Sequence, residues 1–242
     1  MLPETMPVCP VRGSVIYPTM VMPIDAGRPI SIRAIDEALA RDRVLLIVSQ
    51  RDKEVETPRP SDLFEVGTAC NILKMRKNPD GSVQVLVQAF ARVRVREWLD
   101  LGDHLEARGE VLADEPGEPI LVKALVREVK DKFQALLKEG KYLAPEVAQF
   151  ILNLEDPSQL ADYVAFHMDF RLEDKQKVLE TANVAERLRA VLVLLEAELA
   201  LIETQRRIQQ QVKEEIDRNQ REYFLREQMK AIQRELGGEG EG

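Results

Sequence analysis

Glycine and proline are missing from residues 158–236 of this 242-residue chain. All thirteen prolines and eight of the twelve glycines lie before that stretch. Glycine adopts positive φ angles and proline lacks a backbone donor, so these two residues mark most turns and helix ends. Their absence excludes a loop-rich structure for the C-terminal third, which the sequence predicts to be helical.

Cysteine and long apolar runs are also scarce. Cys9 and Cys70 have neither metal-ligand nor redox spacing, and no signal peptide is recognisable, so both are predicted to be buried thiols of a cytoplasmic protein. The most apolar run, residues 190–202, is interrupted by Glu196 and Glu198 and is too short to cross a bilayer. We therefore expect a soluble protein without a membrane partner.

Histidine and net positive charge are lacking too. His104 and His167 stand far from each other and from any cysteine spacing, which predicts structural roles and no metal site. The net charge of −8 argues against a dedicated nucleic-acid-binding protein. Apolar residues make up 45% of the chain, which is ample for a packed core.

The glycine-free stretch begins with a helix-start signal. Asn183 followed by Glu186 forms a capping-box pattern, and no helix breaker follows until Gly237. A single helix over residues 184–236 would extend about 80 Å, at about 1.5 Å per residue, and much of it would project. Its first half has an apolar seam that should pack on a core, at Leu188, Leu192, Leu195, Leu199 and Ile202. The second half is polar, and we expect either a solvated helix or a coiled coil with a neighbouring subunit or domain.

The chain before this helix changes period near residue 115. Short apolar runs separated by turns predict strands at residues 8–11, 21–24, 44–48, 67–75, 83–89, 91–98 and 104–111, with one helix at 31–41. Helical periodicity follows from Pro119, and further helices are predicted at 145–154, 156–168 and 172–181. The predicted domains are a β-rich domain at 1–115, a helical bundle at 116–182, and the long helix with a glycine-rich linker at 183–242.

Two segments at opposite ends carry a family resemblance. Residues 219–237, NQREYFLREQMKAIQRELG, preceded by ETQRRI at 203–208, resemble the segment that leads into the ATPase domain of bacterial Lon proteases. Residues 7–24, PVCPVRGSVIYPTMVMPI, resemble the opening strand and loop of the Lon N-domain. The resemblance implies an α+β fold: a mostly β, partly closed, barrel-like domain, then an α-helical bundle ending in one very long projecting helix.

The resemblance also implies a division of labour within a larger protein. A Lon protease is an ATP-dependent serine endopeptidase with a Ser-Lys pair, an AAA+ ATPase that uses ATP and Mg²⁺, and a hexameric assembly. This sequence has no Gly-x-x-x-x-Gly-Lys-Ser/Thr loop for a nucleotide phosphate. None of its serines occupies a recognisable nucleophile turn; they are Ser14, Ser31, Ser49, Ser61, Ser82 and Ser158. We therefore expect no catalysis and no cofactor in this region, which would recognise unfolded or damaged proteins, help to assemble the ring and pass substrate to the ATPase.

The first candidate site is an apolar loop near the N-terminus. Methionine side chains between prolines suit a surface that binds many sequences weakly, and unfolded proteins expose apolar residues. The candidate substrate-binding residues are Tyr17, Pro18, Met20, Val21, Met22 and Pro23. The alternative is core packing, which the strand-like alternation favours for Val21 and Ile24.

The second candidate site lies in the polar half of the long helix. Bulky side chains interrupt the charged surface there, at Tyr223, Phe224, Leu225 and Met229. In a ring of subunits these side chains could assemble the helices or gate an entering chain. The alternative is coiled-coil or interdomain packing.

One strand offers a basic face. Arg92, Arg94 and Arg96 alternate with valines, so they share one side of the strand. A solvated sheet face is favoured by the acidic net charge. Two other functions stay open at this point: a nucleic-acid-binding module that uses these arginines, and a stand-alone scaffold or adaptor.

Overall fold

The computed structural model describes residues 2–140 and 143–237, with the side chains of 235–237 excepted. The chain divides into two compact units, Met1–Leu195 and Glu196–Gly242. In the first unit, the described residues form six strands and an intervening helix, followed by four short helices and the beginning of the last one. The predicted boundaries at residues 115 and 182 stay predictions.

The strands and helices follow one another in this order: β1 (Met6–Val11), β2 (Val21–Ala26), α1 (Pro29–Ala40), β3 (Val44–Ser49), β4 (Val66–Lys77), β5 (Val83–Asp100), β6 (Leu105–Val111), α2 (Pro119–Lys138), α3 (Pro145–Leu152), α4 (Pro157–His167), α5 (Leu172–Glu180) and α6 (Val184–Gly237). The α+β class is therefore confirmed, and so is the long C-terminal helix. The two strands predicted at 83–89 and 91–98 are one continuous strand, because no turn residue separates them.

The sheet has the strand order β2-β5-β4-β3-β1-β6. The long β5 pairs with β2 and β4 along its first part and with β6 along its last part. The sheet therefore curls until β6 meets β5, but it does not close as a barrel. β1 and β3 are parallel, while the other pairs are antiparallel.

Two apolar clusters hold this sheet. One cluster packs α1 on the sheet through residues such as Ile35, Leu45 and Val85. The other lies on the opposite side of β3 and includes Leu46 and Val93. Alternate residues of β3 therefore enter different clusters, as the two-residue period of a strand requires, and this explains why β3 is apolar throughout.

Helices α2, α4 and α6 each begin at a residue whose side chain caps the backbone, and the sequence indicated the cap at Asn183. Glu118 accepts hydrogen bonds from the backbone of Ile120 and Leu121 at the start of α2. Asp156 caps α4, and Asn183 caps α6 by accepting from the backbone N–H of Glu186. Within the described chain, no helix combines the length and apolar content needed to cross a membrane.

The beginning of α6 packs in the core of the first unit. Its fully buried apolar side chains are Leu188, Val191 and Leu195. Within the predicted seam, Leu188 and Leu195 are therefore buried, while Leu192, Leu199 and Ile202 are half-buried.

Candidate functional site

The outer face of the sheet carries an exposed apolar patch where β2, β5 and β4 lie side by side. We call it the sheet-face surface, and its residues are Val21, Pro23, Leu73, Leu86 and Phe90. Val21 is 54% exposed, Leu73 43% and Phe90 37%, while Leu86 lies half-buried opposite Pro23. A sheet with one face in a core normally presents polar residues on its other face, so this apolar patch is a candidate interaction site.

Two β-bulges create part of this surface. On β5, Ala89 pairs with Cys70 and Ala91 with Ala69, so Phe90 is an extra residue without a partner on β4. On β4, Ile72 pairs with Val87 and Lys74 with Leu86, which makes Leu73 the extra residue. Bulges re-aim side chains and are common beside functional sites.

The edge strand β2 places Val21 and Pro23 on the sheet-face surface. It pairs with β5 over its whole length, and Pro23 is tolerated because an edge strand does not need every backbone donor. Before it, Thr19 adopts a left-handed φ of 68° and donates its backbone N–H to the Ala89 carbonyl at 2.9 Å. The turn fixes the phase of β2, so that Val21 points outward and Met22 packs against the core.

The predicted apolar loop is therefore only partly a surface. Tyr17, Pro18 and Met20 are buried, which corrects the expectation that their side chains are exposed. Tyr17 donates its hydroxyl hydrogen to the Lys175 carbonyl at 2.8 Å and so joins the loop to α5. Val21, for which core packing was favoured, is among the exposed residues. The role of these side chains in substrate binding stays a prediction.

Sequence reasoning missed Leu73, Leu86 and Phe90. A signal existed for Leu86, because Val83, Val85 and Val87 define the inward face and Leu86 falls between them. Phe90 also adjoins a groove of about 270 Å³ against the beginning of α4, which exposed Val111 lines as well. No local pattern marks Leu73, because its position depends on the bulge.

The basic strand is only partly a solvated face. Arg92 is buried and lies 2.5 Å from Asp162 of α4, and it donates to the Leu179 carbonyl at 3.1 Å. The expected solvated face is wrong for Arg92, because helices α4 and α5 cover this end of the sheet. Arg94 is half-buried, and exposed Arg96 forms an ion pair with Glu110.

Arg92 belongs to a buried polar junction that joins β5, α4 and the beginning of α6. Arg187 of α6 contacts Asp114 at 2.7 Å and the Ser158 hydroxyl at 2.7 Å. Burial raises the pKa of Asp162 to about 6, although Arg92 and Arg187 oppose the rise. Burial also acts to raise the pKa of Asp114, but hydrogen bonds from Arg187 and Ser158 hold it below its usual range. These groups satisfy one another, so the junction is structural.

The candidate assembly or gating residues of α6 lie in the second compact unit. Tyr223, Phe224, Leu225 and Met229 are all exposed. Their predicted roles in assembly or gating stay predictions.

The described residues include no candidate metal-binding cluster, and both cysteines are buried. No group of three or more His, Cys, Asp or Glu side chains lies close enough to hold a metal ion in residues 2–140 and 143–237. Burial raises the pKa of Cys9 to about 11, and it also raises the pKa of Cys70. The buried-thiol prediction is confirmed. His104 is buried between Asp103 and Glu106, at 2.7 and 3.3 Å.

Comparison with known proteins gives consistent results. Residues 5–197 match the family model of the ATP-dependent protease La (LON) substrate-binding domain. The chain is 41% identical over 231 residues to the Lon protease of Escherichia coli K12 and 42% identical over 231 residues to that of Erwinia amylovora. Both matches cover 96% of this chain and 30% of the relative, so the chain spans about a third of the length of these relatives.

Two solved structures have a similar fold. The N-terminal domain of Mycobacterium avium complex Lon protease is 26% identical with a TM-score of 0.66, covering 80% of this chain and 98% of that one. A Lon N-terminal domain protein from Xanthomonas campestris has a TM-score of 0.53, covering 78% of this chain and 97% of its own. At 12% identity the second likeness concerns the fold alone.

Proposed function

The chain belongs to the Lon substrate-binding-domain family, and we propose that it captures unfolded segments of other proteins through the sheet-face surface. The observation that carries this proposal is the cluster of apolar side chains on the uncovered part of the sheet, led by Val21, Leu73 and Phe90. An unfolded protein exposes apolar residues that a folded protein buries. A patch of this kind therefore selects for the unfolded state rather than for one sequence.

The side chains of the sheet-face surface project from β-strands and differ in size and shape. Leu, Val, Pro and Phe side chains can bury a variety of apolar partners without requiring matched hydrogen bonds. A single patch binds weakly, because association must first offset lost translational and side-chain freedom. Several copies acting on one unfolded chain would bind much more tightly through a high effective concentration.

The family membership supports a wider role, which belongs to the same proposal. The region would act as the non-catalytic recognition part of a cytoplasmic Lon-like protease, in which ATP, Mg²⁺ and a Ser-Lys pair belong to other parts of the protein. Its partners would be unfolded or damaged proteins and the other subunits of a hexamer. The exposed side chains of Tyr223, Phe224, Leu225 and Met229 would then serve assembly or gating.

A nucleic-acid-binding function receives less support. Arg92 is buried against Asp162 and cannot reach a phosphate, and Arg96 is paired with Glu110. A scaffold function would use the same fold, but no separate observation favours it over capture through the exposed apolar patch.

The test is a titration of the 242-residue chain with one model protein, first native and then irreversibly unfolded. Binding is followed by methyl NMR at low and high salt. We expect binding of the unfolded form only, tolerance of salt, and shifts at Val21, Leu73 and Leu86. Equal binding of both forms, binding that disappears at high salt, or shifts confined to other residues would refute the proposal.

A further inference from the structure

The groove beside Phe90 continues the sheet-face surface toward the beginning of α4. Its volume of about 270 Å³ is smaller than that of a typical small-molecule pocket and suits one long side chain. Its lining combines the exposed apolar side chains of Phe90 and Val111 with the carboxylates of Asp114 and Asp156. Because Phe90 belongs both to the sheet-face surface and to the groove, a segment bound on the first can place a side chain in the second.

The accessible charge of this groove is negative. Of the described residues that line it, the one cation is Arg92, whose side chain is 3% exposed and engaged by Asp162 and Asp114. Arg187, which also pairs with Asp114, is fully buried. The carboxylates outnumber these two guanidinium groups by one, since Asp162, with a pKa raised to about 6, is ionised at pH 7.5. The excess charge is open to solvent, because Asp156 is exposed and the Asp114 side chain is 37% exposed.

Asp156 is the carboxylate of the groove that has an oxygen to spare. Its Oδ1 accepts the backbone N–H of Gln159 at 3.0 Å as the cap of α4, while its Oδ2 accepts no hydrogen bond from residues 2–140 and 143–237. A helix N-terminus carries about half a positive charge, which offsets this carboxylate only in part. Pro157, the first residue of α4, contributes no N–H to that end. A positively charged group is therefore favoured beside Asp156 Oδ2.

We propose that this groove accepts a lysine or arginine side chain of the unfolded segment held by the sheet-face surface, an assignment that rests on the proposed function. Lysine and arginine combine an apolar stem with a terminal cation. The stem packs against Phe90 and Val111, and the charged end lies beside Asp156. A bare metal ion is not favoured, because the described residues form no cluster of three ligating side chains here. The captured segments are then those in which a basic residue lies near apolar ones.

The experiment measures fluorescence anisotropy of a labelled, unstructured peptide titrated with the 242-residue chain at pH 7.5 and low salt. The peptide consists of Gly and Ser with three leucines and one lysine, and a matched peptide carries N-acetyl-lysine, which keeps the stem and removes the charge. We expect the lysine peptide to bind about 2- to 5-fold more tightly, as for a partly exposed ion pair. High salt should remove this preference while the apolar binding persists.

Asp156→Asn removes the charge and keeps the helix cap, because asparagine caps a helix about as well as aspartate does. This variant should abolish the preference for the lysine peptide. The matched control Asp131→Asn, at an exposed position of α2 outside the groove, changes the net charge of the chain equally and should retain the preference. Gln159→Glu adds a carboxylate to the groove lining and should increase the preference about twofold. An unfolded variant cannot show such a gain.

The groove and the capture function fail in different ways. Equal binding of the two peptides, equal effects of D156N and D131N, or no gain for Q159E would each overturn the groove assignment and leave capture standing. Leu73→Ala changes the sheet-face surface outside the groove, so it should weaken both peptides alike and keep their ratio. A lysine preference that persists while L73A has no effect would refute capture by the sheet-face surface but not the groove. Failure of both peptides to bind would overturn both proposals.

Discussion

Phe90→Ala tests the sheet-face surface most directly. Phe90 is 37% exposed, and a phenylalanine side chain buries on the order of 200 Å², so a bound segment can cover about 75 Å² of it. At about 25 cal/mol per Å², this area contributes about 1.9 kcal/mol, or about 25-fold in Kd. Imperfect packing in an interface reduces this figure, and we expect the Kd for an unfolded protein to rise about 5- to 25-fold.

Phe150→Ala is the matched control. Phe150 lies on α3, is 49% exposed, and contacts Tyr163 edge-on with ring centroids 5.1 Å apart. The two variants lose the same atoms from similarly exposed positions on different surfaces. Binding of an irreversibly unfolded protein is measured by isothermal titration calorimetry, and thermal melts check that both variants remain folded. Equal weakening by F90A and F150A, or an unchanged Kd for F90A, would refute the assignment of capture to the sheet-face surface.

Three further predictions concern stability and reactivity. Burial raises the pKa of Asp162 in the folded protein to about 6, above its unfolded value of about 3.9. The folded state therefore holds the Asp162 proton more tightly, and the resulting stabilisation is full below about pH 4 and is lost as pH rises through 6. Thermal melts from pH 4 to 7 should show this loss of stability in the wild type and not in Asp162→Asn. Burial raises the pKa values of the Cys9 and Cys70 thiols, so both cysteines should resist a thiol reagent at pH 8 until urea unfolds the chain. Fast labelling of the native protein would contradict their burial. Gly67→Ala should destabilise the fold by several kcal/mol, on the order of other core overpacking changes, because its Cβ would lie 2.5 Å from a backbone oxygen of β3. Urea titration measures this loss of stability. The control is Gly27→Ala, whose Cβ would meet nothing within 4 Å.

Local signals were sufficient for most of the fold. The α4 cap at Asp156, the proline after it, and the uninterrupted helix beyond Asn183 act within one helical turn, so the sequence displays them directly. The two strands predicted at 83–89 and 91–98 are one strand, β5, with a bulge at Phe90 where the prediction separated them. Strand propensity and turn residues do not reveal a bulge. A bulge is decided by the pairing of β5 with β4, which involves residues far apart in sequence.

The candidate site was less predictable for the same reason. Tyr17 and Met20 have the composition of an exposed, adaptable loop, yet the loop folds under α5 and the Tyr17 hydroxyl finds a carbonyl of that helix. Arg92 has the alternation of a solvated strand, but its partner Asp162 lies seventy positions later. Burial of such residues depends on which helix covers which part of the sheet, and no short-range pattern contains that information.

The covering helices also explain why the apolar patch lies where it does. β5 passes from an uncovered part, with Leu86 and Phe90, to a part covered by α4 and α5, where Arg92 is held by Asp162. The buried junction fixes the strand within a few residues of Phe90, so the patch is held by a rigid element rather than by a mobile loop. A rigid apolar surface loses little conformational entropy on binding. The ordering penalty then falls mainly on the bound segment, and a segment that is already unfolded is free to adapt to the surface.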